Sequence, residues 1–171
     1  MGRDVAQTWA TRKVAVFAGL VLGVLILDLA TKLMVQRHFL LYQQMDVIGE
    51  YVRLTYIYNP GAAFGISVGE YSRQIFLGLS VVALTALVGM YWYTPVTDRA
   101  RLVSISLICG GAMGNLIDRV RSEAGVVDFI DVGVGNVRWP VFNIADMAVT
   151  AGAIMLALSL WREEQSAADG S

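Results

Sequence analysis

Four stretches of the chain are apolar for long enough to cross a lipid bilayer, and this feature limits the fold more than any other. A spanning helix needs about 20 consecutive, predominantly apolar residues. Charged residues make up only 16% of the chain, against about 25% in a typical soluble domain. We therefore predict a single all-α integral membrane domain over residues 1–171, with spans at residues 14–33, 75–93, 102–118 and 141–161.

The first span has an alternative interpretation, because basic residues precede it. Arg12 and Lys13 stand before the uncharged run from Val14 to Leu27, as they would in a cleaved signal peptide. The apolar character resumes around Asp28, and no convincing small-residue cleavage site follows the run. We interpret the segment as a membrane span.

The connecting segments differ in length. We predict terminal segments at 1–13 and 162–171, a short loop at 94–101, and long loops at 34–74 and 119–140. The polar C-terminal tail is expected to be disordered. Lys and Arg number six on the side of the termini and seven on the side of the long loops, so charge does not set the orientation.

Each long loop contains one extended segment. Tyr51–Tyr58 alternates in a way that would place Val52, Leu54, Tyr56 and Tyr58 on one face of a strand. Asn59 then opens a turn signal with the Pro and Gly that follow it. Val126–Val132 is the second extended segment.

Catalytic groups other than carboxylates are scarce. The chain has one histidine, His38, and one cysteine, Cys109, so a His-rich or Cys-rich zinc site cannot be built. No GxSxG or HExxH motif accompanies His38, and Cys109 lies in an apolar run that suits a packing residue. A net charge of −1 gives no indication of nucleic-acid binding. We expect no metal and no cofactor, which leaves carboxylates as the main candidates for hydrolytic chemistry.

Asp146 is the most informative polar residue, because an Asp at the centre of a span costs about 2.5–3.5 kcal/mol. It lies seven residues after Trp139, which predicts a depth of about 10 Å along a helix. Asn143 precedes it by three residues and would share its helix face, where an amide could orient the carboxyl group. A structural polar contact between helices is the alternative.

Polar residues also occur in the first and third spans. Asp28 and Lys32 have the i, i+4 spacing of an ion pair, although direct contact with a substrate stays open. Asn115 and Asp118 close the third span, and Arg119 follows directly. We expect Asp118 and Arg119 to form an ion pair that secures this helix end.

Asp128 and Asp131 would point to opposite faces of a strand, so at most one of them can meet Asp146. The spacing does not choose between them. Two carboxylates that meet share one proton. The ionised member can take a proton from water while the protonated member polarises a carbonyl, and the roles then reverse to protonate a leaving amine. Such a pair would hydrolyse a peptide bond.

Two other classes of protein compete with a peptidase. Intramembrane Asp, Asn and Arg also mark ion paths, as in a small transporter or a proton-coupled channel. We find no internal repeat, and many transporters are built from repeats. A non-enzymatic membrane assembly factor is the third possibility.

Five short motifs occur in a fixed order along the chain. They are Asp28-Leu-Ala-Thr-Lys32, Asn59-Pro-Gly-Ala-Ala-Phe64, Gly114-Asn-Leu-Ile-Asp-Arg119, Val126-Val-Asp-Phe129 and Phe142-Asn-Ile-Ala-Asp146. Each motif is weak alone. In this order, and at these positions relative to four spans, they make the chain resemble lipoprotein signal peptidase, the bacterial type II signal peptidase.

The resemblance implies a catalytic pair, Asp128 and Asp146, and thereby selects Asp128 over Asp131. It also implies four transmembrane helices with a small extramembrane β-cradle and a short periplasmic helix. The supporting or substrate-binding residues that it implies are Asp28, Lys32, Asn59, Gly61, Ala63, Asn115, Asp118, Arg119, Asn143 and Ala145.

The same resemblance implies a function. The substrate would be a prolipoprotein whose lipobox cysteine already carries a diacylglyceryl group, and cleavage would fall just before that cysteine. The enzyme would lie in the bacterial inner membrane among its lipids, with cytoplasmic termini and a site near the periplasmic face. Inhibition by globomycin-like compounds would follow as well.

Overall fold

Four long helices dominate the computed structural model, which describes residues 2–60 and 69–169. The helices are α1 (Gly2–His38), α2 (Ser72–Tyr93), α3 (Arg99–Arg121) and α4 (Ile144–Asp169). Between them lie the strands β1 (Gln44–Ile48), β2 (Val52–Asn59), β3 (Val126–Val134) and β4 (Val137–Arg138). A three-residue 3-10 turn at Gly69–Tyr71 leads into α2.

All four helices are long and apolar enough to cross a membrane, over Thr11–His38, Ser72–Tyr93, Arg99–Arg121 and Ile144–Ala168. The prediction of four spans is confirmed. Large apolar side chains face outward, as Ile26 does with 64% of its surface exposed. This pattern suits a bilayer, because lipid tails solvate such side chains and water does not.

Helix α3 is the centre of the bundle and packs against each of the other three helices. Half of the residues in the most apolar stretch of α3 are buried inside the protein, compared with about a tenth in the corresponding stretches of α1 and α2. Small residues permit this packing. A Cβ atom at Gly111 would overlap the carbonyl oxygen of Ala145, so only glycine allows α4 to lie this close.

The strands form one antiparallel sheet in the order β1-β2-β3-β4. Both predicted extended segments are confirmed, as β2 and β3. A bulge between Leu54 and Ile57 interrupts the predicted alternation, and beyond it Ile57 lies opposite Asp128. Strands β1 and β4 were not predicted.

An apolar cluster seats the sheet on the end of α1. Val35 packs there with Tyr56 of β2 and with Val127 and Phe129 of β3. A second cluster, which includes Leu25, joins α1 to α2 and α3 within the bundle. The sheet therefore lies directly against the bundle, and β3 contributes two side chains to the contact.

The predicted start of the fourth span at residue 141 is wrong, because α4 begins at Ile144. Phe142 is extended and pairs with β3: its carbonyl accepts from Ile130 N at 2.8 Å, and its N–H donates to Ile130 O at 3.0 Å. These long-range backbone bonds compete successfully with the helix for residue 142.

Helices α4 and α1 extend past the ends predicted for the corresponding spans. The prediction of a disordered tail is wrong for residues 162–169, because α4 continues to Asp169. An ion pair between Arg101 and Glu163 ties this extension to the start of α3. At the other end of the chain, α1 already begins at Gly2, within the predicted terminal segment.

Candidate active site

Asp128 is almost fully buried in β3, with 1% of its surface exposed, and each of its carboxylate oxygens accepts an amide hydrogen bond. Asn59 Nδ2 donates to Oδ2 at 2.9 Å, and Asn143 Nδ2 donates to Oδ1 at 2.7 Å. The sheet brings Asn59 to this carboxylate, because β2 pairs with β3 in the register that sets Asn59 opposite Val126. Neither partner carries a charge that could neutralise Asp128.

Asp146 lies in the first turn of α4, so the predicted position about 10 Å into a helix is wrong. Its N–H donates to Asn143 Oδ1 at 2.9 Å, and its Oδ2 accepts from Asn143 N at 3.2 Å. These reciprocal bonds form a capping box, with Asn143 as the N-cap. Asn115 Nδ2 donates to the other carboxylate oxygen at 2.7 Å. Asp146 is therefore at the rim of the bundle and is fixed from α3 as well as α4.

Asn143 joins the two carboxylates. Its side-chain amide donates to Asp128, and its backbone N–H donates to Asp146. Burial, followed by the negative charge of Asp146, raises the pKa of Asp128 to about 7. At neutral pH Asp128 therefore holds a proton for a substantial part of the time. We call Asp128 and Asp146 the aspartate pair.

A second polar group lies behind the pair, centred on the ammonium of Lys32. Lys32 Nζ contacts Asp28 at 2.7 Å, Asp118 at 2.8 Å and the side-chain oxygen of Asn115 at 3.2 Å. Lys32 and Asp28 are 2% and 0% exposed. The predicted Asp28–Lys32 ion pair is confirmed. We call these four residues the lysine cluster, and Asn115 connects it to Asp146.

The predicted ion pair between Asp118 and Arg119 is wrong, because Asp118 bonds to Lys32 instead. Adjacent residues on a helix point in different directions, whereas Lys32 approaches from the facing helix. Arg119 stacks over Phe76 at 5.8 Å, and its Nε is buried without a partner among the described residues. Arg119 lies close enough to both members of the aspartate pair to interact with them electrostatically.

Asp131 takes no part in this arrangement. Its carboxylate accepts from Arg138 Nε at 2.6 Å and from Thr55 Oγ1 at 3.1 Å. Arg138 also donates to the backbone of Glu50, which ties β4 to the turn after β1. The structure therefore brings Asp128, and not Asp131, to Asp146.

Ala145 and Asp28 lock α1 against the start of α4. Ala145 is fully buried, and its N–H donates to Asp28 Oδ1 at 3.0 Å. A Cβ atom at Gly114 would lie 2.5 Å from Asp28 Oδ2, so this position requires glycine. The turn of α4 that carries Asp146 is thus held by contacts from α1 and α3.

Two of the implied site residues, Gly61 and Ala63, lie outside the described residues. The other ten belong to the aspartate pair, to the lysine cluster or to their direct surroundings. Within 2–60 and 69–169, no three His, Cys, Asp or Glu side chains are grouped closely enough to hold a metal ion.

Sequence reasoning missed two supporting contacts. Arg73 Nε donates to the backbone oxygen of Arg119 at 2.8 Å, which fixes the end of α3 to the start of α2. Nothing in the local sequence indicates this contact, which joins residues 46 positions apart. The close approach at Gly114 was signalled only by the small-residue content of the third span.

This arrangement defines a class of protein. Two neighbouring carboxylates, held by amides at the rim of an apolar bundle, are the catalytic groups expected of a membrane-embedded aspartic peptidase. Comparisons with known proteins agree. A family model described as signal peptidase (SPase) II matches residues 20–162.

The chain is 41% identical to a lipoprotein signal peptidase of Moorella thermoacetica over 144 residues, which cover 84% of this chain and 91% of that protein. It is 42% identical to one of Geobacter metallireducens over 142 residues, which cover 82% and 87%. A solved bacterial membrane enzyme superposes with a TM-score of 0.80 at 32% identity, covering 89% of this chain and 91% of the other.

The chain belongs to the signal peptidase II family. It is a membrane peptidase that removes signal peptides from prolipoproteins. Family membership decides against the transporter and the assembly factor that the polar residues in the spans left open.

Proposed function

We propose that Asp128 and Asp146 are the catalytic pair of this signal peptidase, and that they cleave the peptide bond before a diacylglyceryl-modified cysteine. The observation that carries the proposal is Asn143, which donates to both carboxylates through its side chain and its backbone. Two carboxylates that interact electrostatically and are bridged by one residue can share a proton, which supplies an acid and a base in one site.

The more buried carboxyl group, Asp128, holds the shared proton in the resting enzyme. Asp146 is partly exposed and takes a proton from a water molecule, whose oxygen then attacks the scissile carbonyl carbon. Asp128 gives its proton to the carbonyl oxygen. In the second step the tetrahedral intermediate collapses. Asp146 returns its proton to the leaving amine as the C–N bond breaks, and Asp128 regains a proton from a hydroxyl group of the intermediate. The pair ends as it began, with one proton.

The location of the pair suits a lipid-anchored substrate. Asp146 stands in the first turn of a spanning helix, and Asp128 stands in the sheet that covers the end of the bundle. A cysteine whose acyl chains stay in the bilayer would present its preceding peptide bond at this boundary. Arg119 interacts electrostatically with the pair, and its Nε has no hydrogen-bond partner within residues 2–60 and 69–169, so it can bind a carbonyl of that substrate.

The orientation that we propose starts from the number of spans. Four spans put both termini on one side, and the two segments that carry the sheet on the other. We place the termini in the cytoplasm and the aspartate pair near the periplasmic face. A phosphatase that acts only in the periplasm, fused after Ser171, should be inactive; activity of this fusion would reverse the orientation.

A globomycin-like inhibitor would bind at the same pair. Such a compound should protect wild type against thermal unfolding, and this protection should be weaker in Asp146→Asn than in a variant remote from the site, such as Arg99→Gln. Equal protection of both variants would place the inhibitor elsewhere.

The proposal is tested by gel-shift cleavage of a prolipoprotein with and without its diacylglyceryl group. Asp128→Asn and Asp146→Asn should each lose at least about 10³-fold in rate, since each acts in proton transfer. Asp131→Asn is the matched control, because it removes a buried carboxylate from the same strand but from the other hydrogen-bond network. Thermal unfolding confirms that each variant is folded.

Cleavage by Asp131→Asn together with loss in both pair variants would support the aspartate pair. Cleavage by either pair variant would remove that residue from the mechanism. Equal cleavage of the substrate without the diacylglyceryl group would show that the lipid is not required for recognition.

A further inference from the structure

A cavity of about 280 Å³ opens between α1, the end of α3 and the sheet. Its walls include Lys32 and Asp118 of the lysine cluster, but neither Asp128 nor Asp146. The cavity is therefore separate from the aspartate pair and is not explained by peptide cleavage.

One wall of the cavity carries an open hydrogen-bond acceptor. Asp118 Oδ2 accepts from Lys32 Nζ and from Val127 N at 3.3 Å. Asp118 Oδ1 has no partner among the residues that the structure describes. This oxygen can accept from a bound ammonium, and the negative charge of the carboxylate favours one.

The other polar groups of the cavity offer donors. Arg121 is exposed and forms no ion pair within the described ranges. Tyr58 accepts at its hydroxyl from Gln36 at 3.1 Å, and Ser122 accepts at its hydroxyl from Ala124 N at 3.2 Å. The Tyr58 hydroxyl also hydrogen-bonds with that of Tyr56; as an acceptor in both bonds it can still donate its own proton, as the Ser122 hydroxyl can. A guanidinium with two hydroxyl donors is a set that binds phosphate.

The two charges have the spacing of a zwitterion. Asp118 and Arg121 are i and i+3 in the last turn of α3, which brings their Cβ atoms to about 5–6 Å. Leu29 and Leu33 of the first span also line the cavity, and Leu33 is 42% exposed on the lipid-facing side. The opening thus lies at the end of α3 and beside apolar side chains of α1, which is the level expected for lipid headgroups.

We infer that this cavity binds the headgroup of an aminophospholipid. Its ammonium donates to Asp118, its phosphate accepts from Arg121, Tyr58 and Ser122, and an acyl chain follows Leu33 along α1. A lipid whose headgroup has no ammonium offers no positive charge to the Asp118 carboxylate. A trimethylated ammonium has no N–H to donate to Asp118.

Native mass spectrometry of the full chain tests this inference. Delipidated protein in detergent is titrated separately with phosphatidylethanolamine, phosphatidylcholine and phosphatidylglycerol of identical acyl chains. Wild type should bind phosphatidylethanolamine about tenfold more tightly than the other two, and Arg121→Gln should lose about tenfold, as expected for one charged hydrogen bond. Tyr58→Phe, which keeps the ring, should weaken binding by a smaller factor.

Arg99→Gln is the control, because Arg99 is exposed at the opposite end of α3. It should bind phosphatidylethanolamine as wild type does. Equal binding of the three lipids, or unchanged binding by Arg121→Gln, would overturn the inference. An equal loss in Arg99→Gln would do so as well, because it would indicate a general effect of surface charge. The measurement involves no cleavage, so its outcome is independent of the proposed catalytic pair.

Discussion

Two buried acidic groups lie side by side in this protein, and they differ in what balances their charge. In the lysine cluster, the carboxylates of Asp28 and Asp118 both contact the ammonium of Lys32. Among the described residues, the carboxylates of the aspartate pair accept hydrogen bonds from neutral amides only. The lysine cluster therefore has one ammonium in direct contact with two carboxylates, whereas no direct ion pair to the aspartate pair occurs among the described residues.

If the aspartate pair is catalytic, as we propose, the bundle keeps its structural ion pairs apart from the groups that transfer protons. In the lysine cluster, two short contacts to one ammonium fix α1 against α3, and Asp28 also accepts from Ala145 N at the start of α4. Two neighbouring carboxylates that form no direct ion pair among the described residues keep a proton available. Asn115 belongs to both regions, because its oxygen accepts from Lys32 while its nitrogen donates to Asp146. The scaffold thus orients an amide that the chemical site uses.

The largest expected difference between the two regions is in stability. Lys32→Met removes the only ammonium in the lysine cluster and leaves the buried carboxylate of Asp28 and the partly buried one of Asp118 without it, which should cost about 3–5 kcal/mol of unfolding free energy. Asp146→Asn should change that free energy far less, since an amide can keep the hydrogen bond to Asn143 N. Reversible unfolding in mixed detergent measures both. Equal destabilisation by the two substitutions would break the distinction.

A smaller loss is expected from crowding the contact that joins the regions. Gly114→Ala would place a methyl group 2.5 Å from Asp28 Oδ2 and should destabilise the protein by about 1–3 kcal/mol. Gly89→Ala in α2 is the matched control, because no atom lies within 4 Å of its Cβ position. The control should be neutral or slightly stabilising. Thermal unfolding of both variants checks the prediction. The same shift in each would show that the close approach of Gly114 to Asp28 does not contribute to stability.

The smallest effect is a shift in the pH dependence of cleavage. Because the pKa of Asp128 is raised to about 7, this group loses its proton as the pH rises through that value, and the acid of the pair disappears. Activity should therefore fall on the alkaline side of about pH 7. The Asn59 amide stabilises the ionised form of Asp128, so Asn59→Ala should raise the pKa and move this limb to higher pH.

Rates of cleavage from pH 5 to 9 measure this limb, with a prebound substrate so that binding does not contribute. Asp46→Asn on the exposed strand β1 is the control and should keep the wild-type profile. An unchanged limb in Asn59→Ala, or a shift to lower pH, would show that Asp128 does not govern it.

The sequence predicted the elements that depend on local composition. The four spans followed from apolar length, and the strands β2 and β3 followed from their extended patterns. The start of α4 was missed, because Phe142 forms its backbone bonds with Ile130 on a strand twelve residues earlier. Local propensity does not report such a partner.

The site shows the same division. The pair Asp28–Lys32 follows from i, i+4 spacing, but the contact between Lys32 and Asp118 joins two helices and has no local signal. The choice of Asp128 over Asp131 came from the family resemblance alone. The structure supplies its physical reason, since Asp131 faces Arg138 and Thr55.

The most direct test of the central claim is a double-mutant cycle on the aspartate pair. Single-turnover cleavage of a diacylglyceryl-modified prolipoprotein is measured for wild type, Asp128→Asn, Asp146→Asn and the double variant. If the two carboxylates act as one proton-sharing unit, the double variant should be no slower than either single variant. Losses that multiply in the double variant, or cleavage at a near wild-type rate by either single variant, would contradict the claim.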